Sequence, residues 1–204
     1  MSTQTGNHPE DKDIVDHVLR GDHAAFGRII KNTEGLVAAI VCKMVPGTED
    51  RKDIAQEVYL KAFHKLAGFK FQCKLSTWIG QIAYNTCLSW LDKKKLVLPD
   101  PSFGDNENHE DPLDSLSNRQ VDLFASKTVS RLFEKQRSAI INAAMEKLSP
   151  VYKTMIHLYH QQELSYTEMA ELTSLPEGTV KSYLFRARKA LKDQLLLHYK
   201  KEEL

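Results

Sequence analysis

Lys181, Arg186, Arg188, Lys189 and Lys192 crowd one stretch in which Glu177 and Asp193 are the only acids. Thr179 and Ser182 stand near its start, so phosphate-seeking cations and short hydrogen-bonding side chains share one segment. Such a set recognises duplex DNA, where cations position the protein on phosphates and short polar groups reach base edges. Val180, Leu184, Ala187, Leu191 and Leu195 recur at helical spacing through the same residues, which leaves the cations off the buried stripe.

The residues before this helix supply the frame it needs. Ser165 followed by Glu168 forms a capping box, so a first helix begins there with Tyr166, Met169 and the small Ala170 facing inward. Thr173-Ser174-Leu175-Pro176 ends it, since Pro176 disfavours a helical Leu175 and suits the opening of a new helix. Two short helices, a tight turn and a basic second helix make a helix-turn-helix. A plain helical hairpin with a solvated basic face is the rival reading, and the joint pattern of cap, small residue and Leu-Pro break favours the groove reader.

A second chemical neighbourhood is the segment Gly68 to Leu75, which contains Phe69, Lys70, Phe71 and Lys74 and no acid. Aromatic faces and lysines together suit single-stranded nucleic acid, through stacking and phosphate neutralisation. Ser76 is expected to cap the following helix, which carries Trp78, Ile79, Ile82, Ala83, Thr86, Leu88 and Leu91 on its apolar side. Trp78, Phe69 and Phe71 fit a core position as well as a DNA contact. His157 and His160 share one helix without a third ligand at a telling distance, so no metal site is expected.

The chain has 204 residues, 42% of them apolar and 27% charged, which allows one domain or two small ones of ordinary soluble type. Its net charge of +1 says nothing about nucleic acid; the local crowding of cations does. No apolar run approaches a membrane span and the polar start lacks a signal peptide's core, so a cytoplasmic location is expected. Cys42, Cys73 and Cys87 lack metal spacing and are read as free thiols. No Gly-rich phosphate loop or nucleophile–base pair is apparent, so neither catalytic residue nor cofactor is assigned. Alternating patterns are too rare for a sheet, and the class is all-α.

In chain order, a short helix over Asp13 to Arg20 precedes one capped by Asp22, with Ala25, Phe26, Ile29 and Ile30 buried. Apolar residues run on to Met44 before Pro46-Gly47. Thr48 or Asp50 caps the next helix, in which Ile54, Val58, Ala62 and Leu66 form a buried row and Gln56, Glu57 and Lys61 stay outside. Leu96 to Asn118 has acids, prolines and no Lys or Arg, the composition of a linker. Ser117 to Lys135 is helical without an evident role, a separate helix carries Ile140 to Leu148, and Ser149-Pro150 opens another.

Pro176-Glu177-Gly178-Thr179-Val180-Lys181-Ser182, followed by Arg186 to Leu191, resembles the promoter-reading helix of bacterial RNA polymerase sigma factors of the extracytoplasmic-function (ECF) type, in the sigma-70 family. The resemblance implies minus-thirty-five contacts from Glu177, Gly178, Thr179, Lys181, Ser182, Tyr183, Arg186, Arg188 and Lys189; Tyr183 stands where the family often has a basic residue. Asp53 to Phe63 is similar to the family's helix that docks on the polymerase clamp, which implies contacts from Asp53, Gln56, Glu57 and Lys61. Ser76 to Asn85 resembles the segment that opens and reads the minus-ten element. It implies contacts there from Phe69, Lys70, Phe71, Gln72, Lys74, Ser76, Trp78 and Asn85. Arg20-Gly21-Asp22 with Ala25-Phe26 resembles the opening of the same N-terminal domain.

The implied organisation is an N-terminal sigma domain over 12–95, a linker with an extra helix over 96–136, and a C-terminal helix-turn-helix domain over 137–199. The implied partners are core RNA polymerase, promoter DNA and an anti-sigma factor, in this family frequently membrane-bound, with no small-molecule substrate. A response-regulator-like transcription factor is an alternative, but it leaves the loop at 68–75 and the docking helix without a task. A helical enzyme with a nucleic-acid-binding tail is another, and it needs a polar catalytic cluster that residues 1–95 lack.

Overall fold

The computed structural model describes the backbone of residues 9–95 and 127–202, and every regular element among them is helical. In the first region α1 (Pro9–Leu19), α2 (His23–Met44), α3 (Thr48–Lys65), a 3-10 turn (Leu66–Gly68) and α4 (Leu75–Lys95) follow one another. The second contains α5 (Lys127–Glu146), α6 (Pro150–His160), α7 (Tyr166–Thr173) and α8 (Glu177–Glu202). The acidic stretch from Leu96 and the first part of the expected helix at Ser117 to Lys135 lie outside the described residues.

Local chemistry sets most boundaries. Gly21 adopts φ +97°, which reverses the chain after α1, and Asp22 Oδ1 then accepts the Ala24 and Ala25 amides at 2.9 and 3.1 Å to start α2. Ser149 Oγ accepts the Tyr152 amide at 3.3 Å, with Pro150 in the first turn of α6.

Three expected boundaries are corrected. Neither Thr48 nor Asp50 caps α3: Gly47 holds the cap position with no side-chain bond, and Thr48 is already helical. Ser76 does not cap α4, which begins at Leu75, whose amide donates to Asp11 Oδ2 at 2.9 Å. Helix α1 starts early enough, at Pro9, to carry Asp11 there. The two helices expected between Ser117 and Leu148 are one continuous α5 from Lys127 to Glu146.

The core is centred on α2 and α4. Ile29, Val37, Ile40 and Met44 of α2 meet Ile54, Val58 and Ala62 of α3 and Ile79, Ala83 and Cys87 of α4, all buried. Each Ile, Val or Met among them contributes on the order of 1.5–3 kcal/mol by leaving water. Met155 and Leu158 of α6, Met169 and Leu172 of α7, and Val180 and Leu184 of α8 belong to that same buried body. The two helical regions therefore pack on one another, with α6 against α2 and α7 against α4. A smaller cluster of Leu148, Ile156 and Ala187 closes the far side of α8. Cys42, Cys73 and Cys87 are free thiols, and burial pushes Cys87 up to about 12. No helix among the described residues is long and apolar enough to cross a membrane.

Candidate nucleic-acid interface

The helix-turn-helix is built as its residues dictate. Ser165 Oγ accepts the Glu168 amide at 3.2 Å while Glu168 Oε2 accepts the Ser165 amide at 3.1 Å, which completes the capping box. Ser174 ends α7 at φ 59°, a left-handed position that swings the chain toward α8. Glu177 opens α8, so Pro176 sits just before the helix, where its carbonyl takes the Val180 amide at 3.0 Å. Val180, Leu184 and Ala187 are buried as spaced, whereas Met169, Leu172 and Thr173 carry the inner face of α7, and Tyr166 and Ala170 are only partly covered.

With that stripe inward, Gly178, Lys181, Ser182 and Lys189 are exposed, and Thr179, Arg186 and Arg188 are half-buried. Thr167 Oγ1 donates to Glu177 Oε1 at 2.7 Å, tying the first turn of α8 to α7. Two cations lie against rings. Lys181 Nζ is 5.4 Å from the Tyr166 ring centre, and the Arg188 guanidinium carbon is 5.0 Å from that of Tyr159. The two tyrosines themselves stack at 5.2 Å with 26° between their planes. This aromatic platform holds long flexible side chains in one direction by cation–π attraction. Spacing places Tyr159 only with Met155 and Ile156 along its helix and Tyr166 only as inward-facing; their pairing could not be read, because the turn between α6 and α7 brings the rings together.

Tyr183 is placed differently from its neighbours. It is half-buried and packs edge-on against Tyr152 at 6.2 Å. Burial, with Tyr183 adding to it, pushes the Tyr84 phenol up to about 12.

The loop before α4 divides into two sets. Lys70, Gln72 and Lys74 are exposed, while Phe69 is buried and packs at a tilt against Phe71 and Trp78 with ring centres at 4.7 and 5.0 Å. Phe71 is half-buried with φ 55°. Phe69 and Trp78 thus serve as the loop's inner anchor, and Phe71 lies over them. Ser76 is half-buried in the first turn of α4, and Asn85 is exposed. Lys74 Nζ pairs with Glu168 Oε1 at 2.8 Å; that hydrogen bond raises the lysine and, followed by the Ser165 amide, lowers the Glu168 carboxyl.

On α3, Asp53, Gln56 and Glu57 are exposed, and Lys61 pairs with Glu57 at 2.6 Å while donating to Thr86 Oγ1 at 3.2 Å. Leu60 is 60% exposed in the same row, an apolar centre for this polar face that its place outside the buried row could have signalled. No group of three metal-ligating side chains stands together among the described residues.

Comparison with known proteins matches both regions. Residues 29–97 match the family model for sigma-70 region 2, and residues 129–191 match that for sigma-70, region 4. The ECF RNA polymerase sigma factor SigW of Bacillus subtilis is 30% identical over 185 residues, covering 90% of this chain and 96% of its own. The ECF RNA polymerase sigma-E factor of Haemophilus influenzae is 28% identical over 187 residues, covering 91% of this chain and 95% of its own. Among solved structures, CnrH in complex with the cytosolic domain of CnrY has a TM-score of 0.59 at 19% identity, covering 91% of this chain and 96% of that one. The sigma factor RpoE bound to the anti-sigma factor NepR, from Bartonella quintana, has a TM-score of 0.56 at 20% identity, covering 83% and 96%. Both are likenesses of fold.

Proposed function

We infer the task of this chain from its family: it belongs to the ECF RNA polymerase sigma factors. It binds core RNA polymerase and directs it to promoters for transcription initiation. The polymerase supplies the chemistry and this chain the address, with no catalytic activity of its own and a place of work in the cytoplasm.

Within that task we assign the parts by residue. Helix α8 enters the major groove of the minus-thirty-five element, with Lys181, Arg186, Arg188 and Lys189 on phosphates or bases and Thr179 and Ser182 at base edges. Lys70, Gln72 and Lys74, with Phe71 above its anchor and Asn85 on α4, meet the melted minus-ten strand. Asp53, Gln56, Glu57 and Lys61, around Leu60, form the polymerase face. The observation that supports this division is the presence in one chain of three unlike surfaces whose polar and charged groups reach solvent. One is a basic groove reader, one an aromatic and basic loop, and one a polar helix face with an apolar centre. An anti-sigma factor is a further partner we assign, by analogy with the one bound to RpoE.

Transcription from a randomised promoter library, by core polymerase with and without this chain, tests the reading. Enrichment of templates sharing two spaced elements only when the chain is present is the expected result. Enrichment that does not depend on the chain would overturn it.

A further inference from the structure

Lys181 and Arg188 are seven residues apart on α8, about 20° short of two full turns and roughly 10 Å along the axis. Both therefore leave the helix on one side. Measured from the buried stripe of Val180, Leu184 and Ala187, that side is a flank, at roughly 80°. Gly178, Ser182 and Lys189 stand roughly opposite the stripe and are exposed. A helix seated in a major groove turns its outermost face to base edges and its flanks to the walls, which are the phosphate backbones.

The rings on that flank are fixed from elsewhere. Tyr166 is the first residue of α7, directly after the capping-box serine, and Tyr159 lies in the last turn of α6. They stack on each other, and the His160 ring stands edge-on to Tyr159 at 4.9 Å. Both tyrosines are partly buried against the main core. Lys181 lies over one ring of the pair and Arg188 over the other. Glu57 and Glu168 hold Lys61 and Lys74 by cancelling charge. A ring attracts a cation through its quadrupole and leaves the charge whole for a phosphate. A side chain already held in place has less rotamer freedom to lose on binding.

We propose that Tyr159 and Tyr166 are positioning residues for promoter recognition: the stacked pair aims Lys181 and Arg188 together at the phosphates of one DNA strand. The proposal rests on the sigma reading above. Base reading then falls to the outer face of α8, and the tyrosines set how tightly and at what angle that face is seated, not which sequence it prefers.

The test uses holoenzyme assembled from core polymerase and the full chain. The chain is wild type or carries Tyr166→Leu, Tyr159→Leu, Tyr166→Phe, Tyr159→Phe, Lys181→Ala, or Lys181→Ala with Tyr166→Leu. One duplex carries the minus-thirty-five element selected by the wild type from the randomised library, and a second has that element scrambled. Affinities are measured at two salt concentrations. Each leucine variant is expected to weaken both duplexes by about two- to fivefold, the worth of one cation–ring contact. Its salt slope should be shallower by up to about one. The phenylalanine variants should bind as the wild type does, and Tyr166→Leu should add nothing once Lys181 is alanine.

Leucine variants that bind like wild type overturn the proposal, and so does an equal loss in the phenylalanine variants. A loss confined to the intact element, or a full Tyr166→Leu effect without Lys181, overturns it as well. Circular dichroism checks every variant for folding. Should both leucine variants unfold, the wild type decides. In its NMR spectrum with carbon-labelled lysine, the Lys181 ε protons, assigned by their loss in Lys181→Ala, should be shifted upfield by the Tyr166 ring, and unshifted protons overturn the proposal. If the library yields an element and these results go the other way, positioning alone is wrong. If it yields none, the sigma reading fails and the proposal with it.

Discussion

Asp11 holds the start of α4 from a distance: its Oδ2 accepts the Leu75 amide at 2.9 Å, across 64 positions of sequence. One of the four free amides at that helix end is thereby satisfied by a carboxylate that also favours the positive end of the helix dipole. The loop carrying Lys70 and Gln72 ends at this junction, so α1 positions the loop we assign to the minus-ten element without belonging to it.

Asp11→Ala is expected to lower stability by about 1 kcal/mol, the typical cost of losing a helix cap. In a chain of this size the thermal midpoint should fall by roughly 2–4 °C. A melt followed by circular dichroism measures it, and an unchanged midpoint would mean that water replaces the carboxylate at no cost.

What could be read in the sequence was whatever depends on near neighbours. Ser165 and Glu168 cap one helix within a single turn, and the stripe from Val180 to Ala187 is buried as spaced. Asp11 escaped because a cap taken from another helix leaves no local pattern, and Ser76 offered a plausible local substitute. Tyr84 and Cys87 were missed as core because α4 is covered on two sides, by α2 and α3 and by α7, so its buried face is wider than one stripe. The shared core was hidden for a related reason. Leu172 and Gly80 are each unremarkable alone, and only their contact reveals that the regions close on each other.

Lys181→Ala should weaken duplex binding without unfolding the chain, since Lys181 is exposed and leans on Tyr166. A lost phosphate contact would lower the salt slope by about one for every sequence, whereas a lost base contact costs roughly 1–3 kcal/mol at one position. Binding titrations at two salt concentrations separate them. Leu184→Asp, by contrast, should unfold the helix-turn-helix, because it places a carboxylate at a site 1% exposed.

Glu57→Lys is expected to slow association with core polymerase by up to about tenfold, with the loss shrinking as salt rises. Glu57 is exposed, and its 2.6 Å pair with Lys61 is a surface pair of small worth, so the melting curve should not move. Normal association kinetics would remove this face from the polymerase contact.

His157 sits in α6 with a buried Nδ1 that has no hydrogen-bond partner, and burial followed by the charge of Lys43 on α2 lowers its pKa. His160 is lowered likewise by burial and by Arg188. The unfolded chain therefore binds more protons near the ordinary histidine value of about 6.5, so stability rises with pH through that region. Denaturant unfolding should give full stability above about pH 7.5 and a decline as pH falls below roughly 6.5. His157→Gln should flatten that decline; an unchanged slope would assign it to other groups.

The loop before α4 allows the anchor and the reader to be separated. Phe69 is buried against Phe71 and Trp78, so the ring of Phe71 stabilises the loop from above even though its backbone lies in the left-handed region. Bulky residues rarely tolerate that region, and the ring contact with Phe69 offsets the strain. Phe71→Ala should accordingly lower the melting temperature and blur promoter choice together. Lys70 and Gln72 are exposed on either side and bear no such duty. Lys70→Ala with Gln72→Ala should leave the melt unchanged, shift the minus-ten preference in a randomised library and keep both the minus-thirty-five preference and polymerase binding. An unchanged minus-ten profile in that double variant would make the loop a connector, and a lowered melt would move Lys70 or Gln72 into the loop's support.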